Sequence, residues 1–458
     1  MTAMRVLGHY LHLPILLLLA VEFVFVALAF SAAAVLLLSD DSSVSLVPSA
    51  FGFSSAVVIG VTAVGLYQAK QRLRFEGVLV RIAIGLLMAA GLLTVIGLVF
   101  PTDLESRLWI WSFAFSFVLL IATRLILWRW VDHVAFRREV LIYGAGVRAS
   151  TLLQLRRRSD RRGFNIVGFV PAKGDSTVID DSRVTQIGDG ELLEYATKHE
   201  VDEIVIAIDD RRRGFPISEL LRCKLAGVAV VDLLEFLERE TGKVKVDLVN
   251  PSWIIFSDGF VNNARTRFAV RVLDIVVSVT LLILAAPIML IAALAILLDD
   301  GAPVLYRQER VGLLGKTFML YKFRSMVKDA EASGPRWAGR GDSRITRVGA
   351  VLRKLRLDEL PQLFNVLGGT MSLVGPRPER TEFVEQLSKS IPYYHERHVV
   401  KPGITGWAQL CYPYGSSEQD AMEKLQYDLY YIKHKSLLFD IMVMLQTAEV
   451  VLWGKGAR

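Results

Sequence analysis

Four long apolar stretches precede residue 131, running roughly from Leu11 to Leu38, Val47 to Tyr67, Val78 to Phe100 and Leu108 to Trp128. A helix of about 20 mainly apolar residues crosses the hydrocarbon core of a bilayer. Residues 1–132 are therefore predicted to form a four-helix transmembrane domain. A cleaved leader does not fit, because the first apolar core is too long and three more follow it. Hydrophobic residues make up 53% of the 458-residue chain. That is only slightly above the globular range of about 45–50%, so the excess is concentrated here. The same content excludes an unfolded chain. Glu22, inside the first stretch, predicts a helix–helix contact. Arg81, near a helix end, predicts a side chain that snorkels to the interface.

Charge sets the expected orientation. Arg5 precedes the first helix, Lys70, Arg72 and Arg74 lie between the second and third, and Arg129, Arg137 and Arg138 follow the fourth. The alternate loops carry Asp40 and Asp41, and then Asp103 and Glu105 beside Arg107. The positive-inside rule then places both ends in the cytoplasm. Cys223 and Cys411 have no CxxC partner, which excludes a zinc ribbon or dithiol site. They read as small buried apolar residues in a reducing compartment.

Residues 139–258 change character. Short apolar runs at Val140–Tyr143, Asn165–Val170, Val201–Ile208 and Val228–Val231 alternate with helical patterns, which predicts a Rossmann-like α/β module with a parallel sheet. Gly144-x-Gly146-x-x-Ala149 after the first run fits the dinucleotide fingerprint, making Gly144 and Gly146 candidate cofactor positions. The confirming ribose-binding carboxylate is missing, since the second run passes into Pro171 with no acidic residue before Asp175. The turn is therefore read as vestigial, inherited with the fold.

Basic residues Arg265, Arg267 and Arg271 introduce another apolar stretch, Ile275–Leu298, closed by Asp299 and Asp300. Its length suits a fifth span, but Pro287 sits near its middle and basic residues continue beyond it at Arg307, Arg310, Lys316, Lys322 and Arg324. Proline removes a helix hydrogen bond and bends the axis. A re-entrant helix over 270–298 satisfies both observations, with Ala286 and Pro287 at the bend and Ser278 and Thr280 bonding freed carbonyls.

Farther on, Val348, Leu352 and Leu355 recur at helical spacing, so Arg353 and Lys354 project from a partly buried helix. Asp358 falls at the start of the next, with Pro361 in its first turn. Free N–H groups and the helix dipole there would keep Asp358 ionised as a nucleophile. Glu359 would point elsewhere and bind a cation, while nearby Arg and Lys form a phosphate pocket. An Asp-Glu pair alone is common on solvated helix starts, and Pro376-Arg377-Pro378 alone is a rigid turn. The ordered set is more specific. It comprises Arg310-Val311-Gly312, Tyr321–Met326, Asp342–Thr346, Leu357–Gln362, Val374–Glu379 and Lys401–Trp407. With these features the segment 266–458 resembles the bacterial sugar transferase family, the monotopic phosphoglycosyl transferases. The whole chain resembles the long polyprenyl-phosphate hexose-1-phosphate transferases. Its tail, from Tyr412-Pro413-Tyr414-Gly415 to Lys433, resembles the exopolysaccharide branch.

That resemblance implies an α-rich catalytic domain on the cytoplasmic face of the bacterial inner membrane. It implies that Asp358 attacks the sugar-bearing phosphate of a UDP-hexose, releasing UMP. Undecaprenyl (polyprenyl) phosphate then takes the sugar phosphate from the aspartate, initiating exopolysaccharide or capsule repeat units. Mg²⁺ at Asp358 and Glu359, with phosphates held by Lys322, Arg353 and Arg377, belongs to the same expectation, as does a homodimer among membrane lipids. Glucose is the expected sugar by family frequency, with galactose and N-acetylated hexoses open. No nucleic-acid module is present, and the net charge of +7 suits headgroups and phosphates. A membrane-anchored nucleotide-binding regulator is the alternative. A nucleotide-sugar oxidoreductase would rest on Gly144 and Gly146 alone. The apolar stretch Leu437–Trp453 is open between an interfacial helix and a packed core helix.

Overall fold

The computed structural model describes residues 3–6, 9–37, 46–64, 66–67, 75–99, 106–130, 137–155, 160, 163–172, 175–176, 178–210, 215–249, 251–257, 259–260, 263–328, 330, 342–412, 415 and 417–452. The chain forms two compact units, one over residues 122–257 and the other over residues 14–121 and 258–458, each with short N-terminal pieces. The loop charges Asp40, Asp41, Lys70, Arg72, Arg74, Asp103 and Glu105, and the tail residues Pro413 and Tyr414, lie outside the described residues.

A two-stranded ribbon, β1 (Ala3–Val6) and β2 (His9–His12), precedes four apolar helices. These are α1 (Leu13–Leu37), α2 (Leu46–Ala63), α3 (Phe75–Val99) and α4 (Ser106–Trp130). They are the N-terminal candidate membrane-crossing elements. Stretches Leu17–Leu37, Gly77–Gly97 and Arg107–Ile126 are long and apolar enough on their own, whereas α2 stops at Ala63 and lies at the short end of spanning length. Phe30, Phe53, Val57, Ile82 and Leu120 fill the bundle core. Glu22 is fully buried, as a packed position requires, but its bond comes from Tyr67 in the turn beyond α2 and not from a facing helix. Arg81 does not snorkel. It is 3% exposed and donates to the carbonyl of Val64, an acceptor left open where α2 ends.

The unit over 122–257 holds a four-stranded parallel sheet of order β4-β3-β5-β6. Its strands are β3 (Arg138–Tyr143), β4 (Phe164–Val170), β5 (Glu203–Ile206) and β6 (Ala229–Asp232). Helices α5 (Val147–Leu153), α6 (Leu192–Lys198), α7 (Ile217–Leu225), α8 (Leu233–Thr241) and α9 (Pro251–Phe256) complete it. Successive strand residues point to opposite faces. Val140, Ile142 and Val205 enter one core with α5 and α8, while Leu141, Ile204 and Ile206 enter the other with α6 and α7. Both faces are therefore covered, as a parallel sheet requires. Arg138, Glu203, Arg239 and Glu240 form a buried ion quartet, with Arg138–Glu203 at 2.9 Å and Arg239–Glu203 at 2.6 Å.

The other unit continues with α10 (Ala264–Asp300), one uninterrupted 37-residue helix that contains Pro287. At 1.5 Å per residue such a helix is about 55 Å long if straight, well over the about 30 Å hydrocarbon core. Thr280 donates to the Val276 carbonyl at 2.9 Å, an ordinary bond to the preceding turn and not to the Ile283 carbonyl that Pro287 leaves open. Ser278 does not; its buried hydroxyl has no partner among the described residues. Beyond α10 come the hairpin β7 (Leu305–Val311) and β8 (Thr317–Phe323), then α11 (Arg347–Lys354) and α12 (Gln362–Leu367). They are followed by β9 (Ser372–Val374), α13 (Thr381–Ser390), β10 (Gly403–Thr405) parallel to β9, and α14 (Trp407–Cys411). Helices α15 (Glu418–Lys433) and α16 (Leu437–Leu452) end the described chain. A Ser417–Asp420 capping box starts α15, whose Tyr427, Tyr430 and Tyr431 are buried. Phe439 and Val443 bury α16 against them, so this helix packs as core and does not lie free on a surface. Cys223 is buried as expected, and Cys411 only in part.

Both ends of α10 are fastened to the elements that follow it. Asp274 accepts from Ser372 Oγ (3.0 Å) and Leu373 N (2.9 Å), and Arg271 caps the carbonyls of Val366 and Leu367. At the far end Ala292 and Ile296 pack with Phe323, Leu352 and Leu357, and Asp299 accepts from Val348 N. Between them Ile283, Leu284, Ile288, Leu290 and Ile291 are exposed.

Candidate active site

Thr346 caps α11 by accepting from Gly349 N at 2.9 Å. Gly349 itself lies against Ser325, where a Cβ would come within 2.1 Å of the Ser325 carbonyl oxygen. This close approach joins Tyr321–Met326 to Asp342–Thr346, with Met326 bridged to Ile345. Asp342 holds Arg344 through both carboxylate oxygens, at 2.8 and 2.6 Å. Arg344 pulls its carboxyl down to about 2. Asn365, buried on α12, accepts from Tyr321 N (3.0 Å) and donates to the Met319 carbonyl (2.7 Å), so β8 is pinned to α12.

Lys322 on β8 is thereby brought against the Asp-Glu pair. Arg356 takes a left-handed conformation (φ 60) after α11 and turns the chain into a single 3-10 turn over Leu357–Glu359. The sequence expectation of an α-helix beginning at Asp358 is corrected here. The helix begins at Gln362, with Pro361 preceding it, because the left-handed residue breaks the path one turn earlier. Asp358 is 8% exposed. Burial first, then the Glu359 charge, pushes its carboxyl above the ordinary value, against the pull of Lys322, Arg353 and Arg377. The dipole-stabilised, easily ionised Asp358 expected from sequence is therefore not what the fold builds.

Glu359 does not point elsewhere but into the same cluster as Lys322. Its Oε1 meets Arg377 at 2.8 Å, Lys322 at 3.5 Å and Arg356 at 4.0 Å. Burial would raise this carboxyl, but the Arg377 and Lys322 charges hold it well below the usual range. Burial lowers Lys322 despite Glu359. Arg353 is half-buried, and its Nη1 has no partner among the described residues. The structure thus gathers Asp358, Glu359, Lys322, Arg353 and Arg377 at one centre above the far half of α10.

Pairs of a nucleophilic carboxylate and anion-binding cations suit phosphoryl chemistry, which needs positioning and charge neutralisation. Mg²⁺ binds through one or two carboxylates together with substrate phosphates. Asp358 and Glu359 offer that hard-oxygen set, and among the described residues no cluster of three acidic, His or Cys side chains offers a closed cage.

Two supports escaped sequence reasoning. Arg397, 5% exposed, donates to the Arg377 carbonyl (3.0 Å), to Asp428 (2.9 Å) and to the Tyr394 hydroxyl (2.8 Å). Arg310 donates to the Pro378 carbonyl at 3.2 Å and lies 3.8 Å from Glu379. Together they fix the Pro376–Glu379 turn that presents Arg377. Arg310 belongs to the Arg310-Val311-Gly312 motif, whose spacing does not show this role, and Arg397 and Asp428 share no spacing that marks them as partners.

Ala286 and Pro287 lie midway along α10, away from the centre. Gly144 and Gly146 belong to the other unit. There the carboxylate of Asp209 accepts from Val147 N (2.9 Å) and Arg148 N (2.8 Å), and a Cβ on Gly146 would fall 2.0 Å from its Oδ2. Asp175 accepts from Asp209 N at 3.2 Å. The chain's own carboxylate fills the place where a dinucleotide phosphate would approach, so this turn does not fit such a group.

Residues 265–454 match the family described as bacterial sugar transferase, and residues 62–213 the one described as CoA-binding domain. A UDP-N-acetylgalactosamine-undecaprenyl-phosphate N-acetylgalactosaminephosphotransferase of Aeromonas hydrophila is 43% identical over 250 residues, covering 55% of this chain and 58% of the relative. A UDP-glucose:undecaprenyl-phosphate glucose-1-phosphate transferase of Xanthomonas campestris pv. campestris is 35% identical over 77% of this chain and 75% of its own length. An undecaprenyl-phosphate galactose phosphotransferase of Salmonella typhimurium is 29% identical over 76% of this chain and 75% of its own. With the ordered motifs converging on one cationic, carboxylate-bearing centre, the chain belongs to the bacterial sugar transferase family of enzymes.

Proposed function

We propose that this protein moves a hexose-1-phosphate from a UDP-hexose to undecaprenyl phosphate through a covalent intermediate on Asp358. The carrying observation is the buried Asp358 beside a Glu359 already neutralised by Arg377 and Lys322. An Asp358 oxygen attacks the phosphorus bearing the sugar. The P–O bond to the uridylyl group breaks and UMP leaves with that electron pair. An oxygen of the lipid phosphate then attacks the same phosphorus and returns the carboxylate to Asp358. Splitting the transfer lets two dissimilar substrates use one centre in turn. Arg377, Lys322 and Arg353 orient the diphosphate and offset its charge. Mg²⁺ bound through Asp358 or Glu359 and the donor phosphates would supply further charge neutralisation.

The same proposal places the catalytic face in the cytoplasm of the inner membrane. It treats 1–132, 139–258 and 266–458 as the working segments and α10 as a re-entrant helix bent at Pro287. What supports the last reading is that both ends of α10 hold the same catalytic body while its middle is apolar and exposed. The α/β module is proposed to be structural or regulatory, with a homodimer contact, and to carry no dinucleotide at the Gly144 turn.

The test is purified protein with polyprenyl phosphate and a donor panel of UDP-glucose, UDP-galactose and UDP-N-acetylgalactosamine. Asp358→Asn is expected to abolish both UMP release and sugar phosphate trapped on protein. Near-native transfer by a folded Asp358→Asn protein would refute the covalent mechanism.

A further inference from the structure

A cavity of about 710 Å³ opens between the end of α10 and the β7–β8 hairpin. Pro303, Val304 and Leu305 give it an apolar wall, and Arg307, Arg324 and Lys328 bring three cations to it. Arg324 is 6% exposed. Its Nη2 donates to the carbonyls of Asp300 (2.9 Å) and Gly301 (2.5 Å) and lies 3.1 Å from the Asp300 carboxylate. Its Nε and Nη1 have no acceptor among the described residues. The Nη2 bonds hold Arg324 in the wall of the cavity, with its charge beside the Asp300 carboxylate. Arg307 and Lys328 line the same cavity, and a guanidinium with an ammonium matches the oxygens of a phosphate.

Two further features bear on that phosphate. Leu294, Leu297 and Leu298 are 51, 43 and 89% exposed on the last turns of α10, and the chain runs from that helix end into the cavity wall at Pro303. The cavity is also close to the reacting centre. Arg324 lies two residues beyond Lys322, one past the end of β8, where its N–H still bonds the Val304 carbonyl (2.9 Å), about 7 Å farther along the chain. Lys322 in turn lies 3.5 Å from Glu359. An apolar wall with cations and a helix leading in from the hydrocarbon suits a phosphate carried on an apolar chain better than a nucleoside.

We propose that this cavity seats the phosphate monoester headgroup of the lipid acceptor, with its chain running along the exposed face of α10. The inference rests on the transferase reading above and adds the acceptor's seat.

The experiment uses the full chain in neutral phosphatidylcholine nanodiscs. KM is measured separately for polyprenyl phosphate and for the UDP-sugar, together with crosslinking to a photoreactive polyprenyl phosphate. The Arg307→Gln/Lys328→Gln double variant is expected to raise KM for the lipid at least fivefold and to leave KM for the UDP-sugar within twofold. Arg324→Gln should raise the lipid KM at least tenfold, with Arg324→Lys recovering part of it. Because Arg324 also ties down the end of α10, the double variant keeps the test intact if Arg324→Gln does not fold. Crosslinks should fall within 303–307 and 324–328. Excess phosphatidylglycerol or inorganic phosphate should not displace them. An equal rise in KM for the UDP-sugar would assign the cavity to the nucleotide, and unchanged values for both would leave it without a substrate. Displacement by phosphatidylglycerol would make it a general headgroup site, and displacement by inorganic phosphate a free-phosphate site. Each of these four results overturns the proposal. Absence of UMP release with every donor would instead refute the transferase reading, while lipid crosslinking would still report on the cavity.

Discussion

Arg377→Ala removes the shortest contact that Glu359 makes with a cation. At 2.8 Å and an effective dielectric of about 20, the gross attraction is about 6 kcal/mol, against about 5 kcal/mol for Lys322 at 3.5 Å. The net loss is much smaller. A hydrogen bond to a charged group contributes about 1.5–3 kcal/mol. Leaving a buried charge with no partner costs about 3–5 kcal/mol. Lys322 remains, so the second situation is not reached, and about 2–3 kcal/mol is expected. If the clamp acts in the transition state, kcat/KM falls about 30- to 150-fold. UMP release at varied UDP-sugar is the assay, with thermal unfolding as the control for folding. Arg377→Lys should recover part of the rate, because an ammonium keeps the charge but loses the planar donors. A folded Arg377→Ala protein within threefold of the native kcat/KM would refute the view that the clamp holds Glu359 for catalysis.

Gly349→Ala places a methyl 2.1 Å from the Ser325 carbonyl, where backbone must move. It should destabilise by about 1–3 kcal/mol and reduce activity, as read by urea unfolding and UMP release. Asp440 is buried, and burial raises its carboxyl to about 7 against the pull of Lys435. Its folded value exceeds its unfolded one, so its contribution to stability is fully present below about pH 4 and is lost as pH rises through about 7. Asp440→Asn should therefore show a flatter stability profile between pH 5 and 8, with a gain on the order of 2 kcal/mol at pH 8 in thermal or urea unfolding. Pro287→Leu should favour a straight spanning α10 and cost activity. With Cys223 and Cys411 replaced, Arg265→Cys and Lys316→Cys probes should both be protected from an impermeant reagent in intact spheroplasts, and the proline variant should expose the second. Labelling at 316 without the proline change would overturn the re-entrant arrangement.

Local pattern determined much of this protein. Apolar length alone located α1, α3 and α4, and strand–helix alternation located the parallel sheet, because burial on one or both faces leaves a periodic trace. Ordered motifs mark Asp358, Glu359, Lys322, Arg353 and Arg377 as candidates, and the fold brings them together. Tertiary structure decided what those groups are. A left-handed Arg356 replaced the anticipated helix start at Asp358, so burial and Glu359 set that carboxyl where a helix dipole had been expected to. Glu359 became the hub of three cations drawn from β8, the turn after α11 and the Pro376–Glu379 turn. Arg397 and Asp428, 31 positions apart, meet under Arg377 through packing of α15. Likewise Asp209, 62 positions from Val147, closes a glycine turn that reads in isolation as a phosphate cradle. Charge and hydrogen bonding depend on distance through space. One-dimensional spacing records that distance only within a helix, a strand or a turn, and these contacts join separate elements.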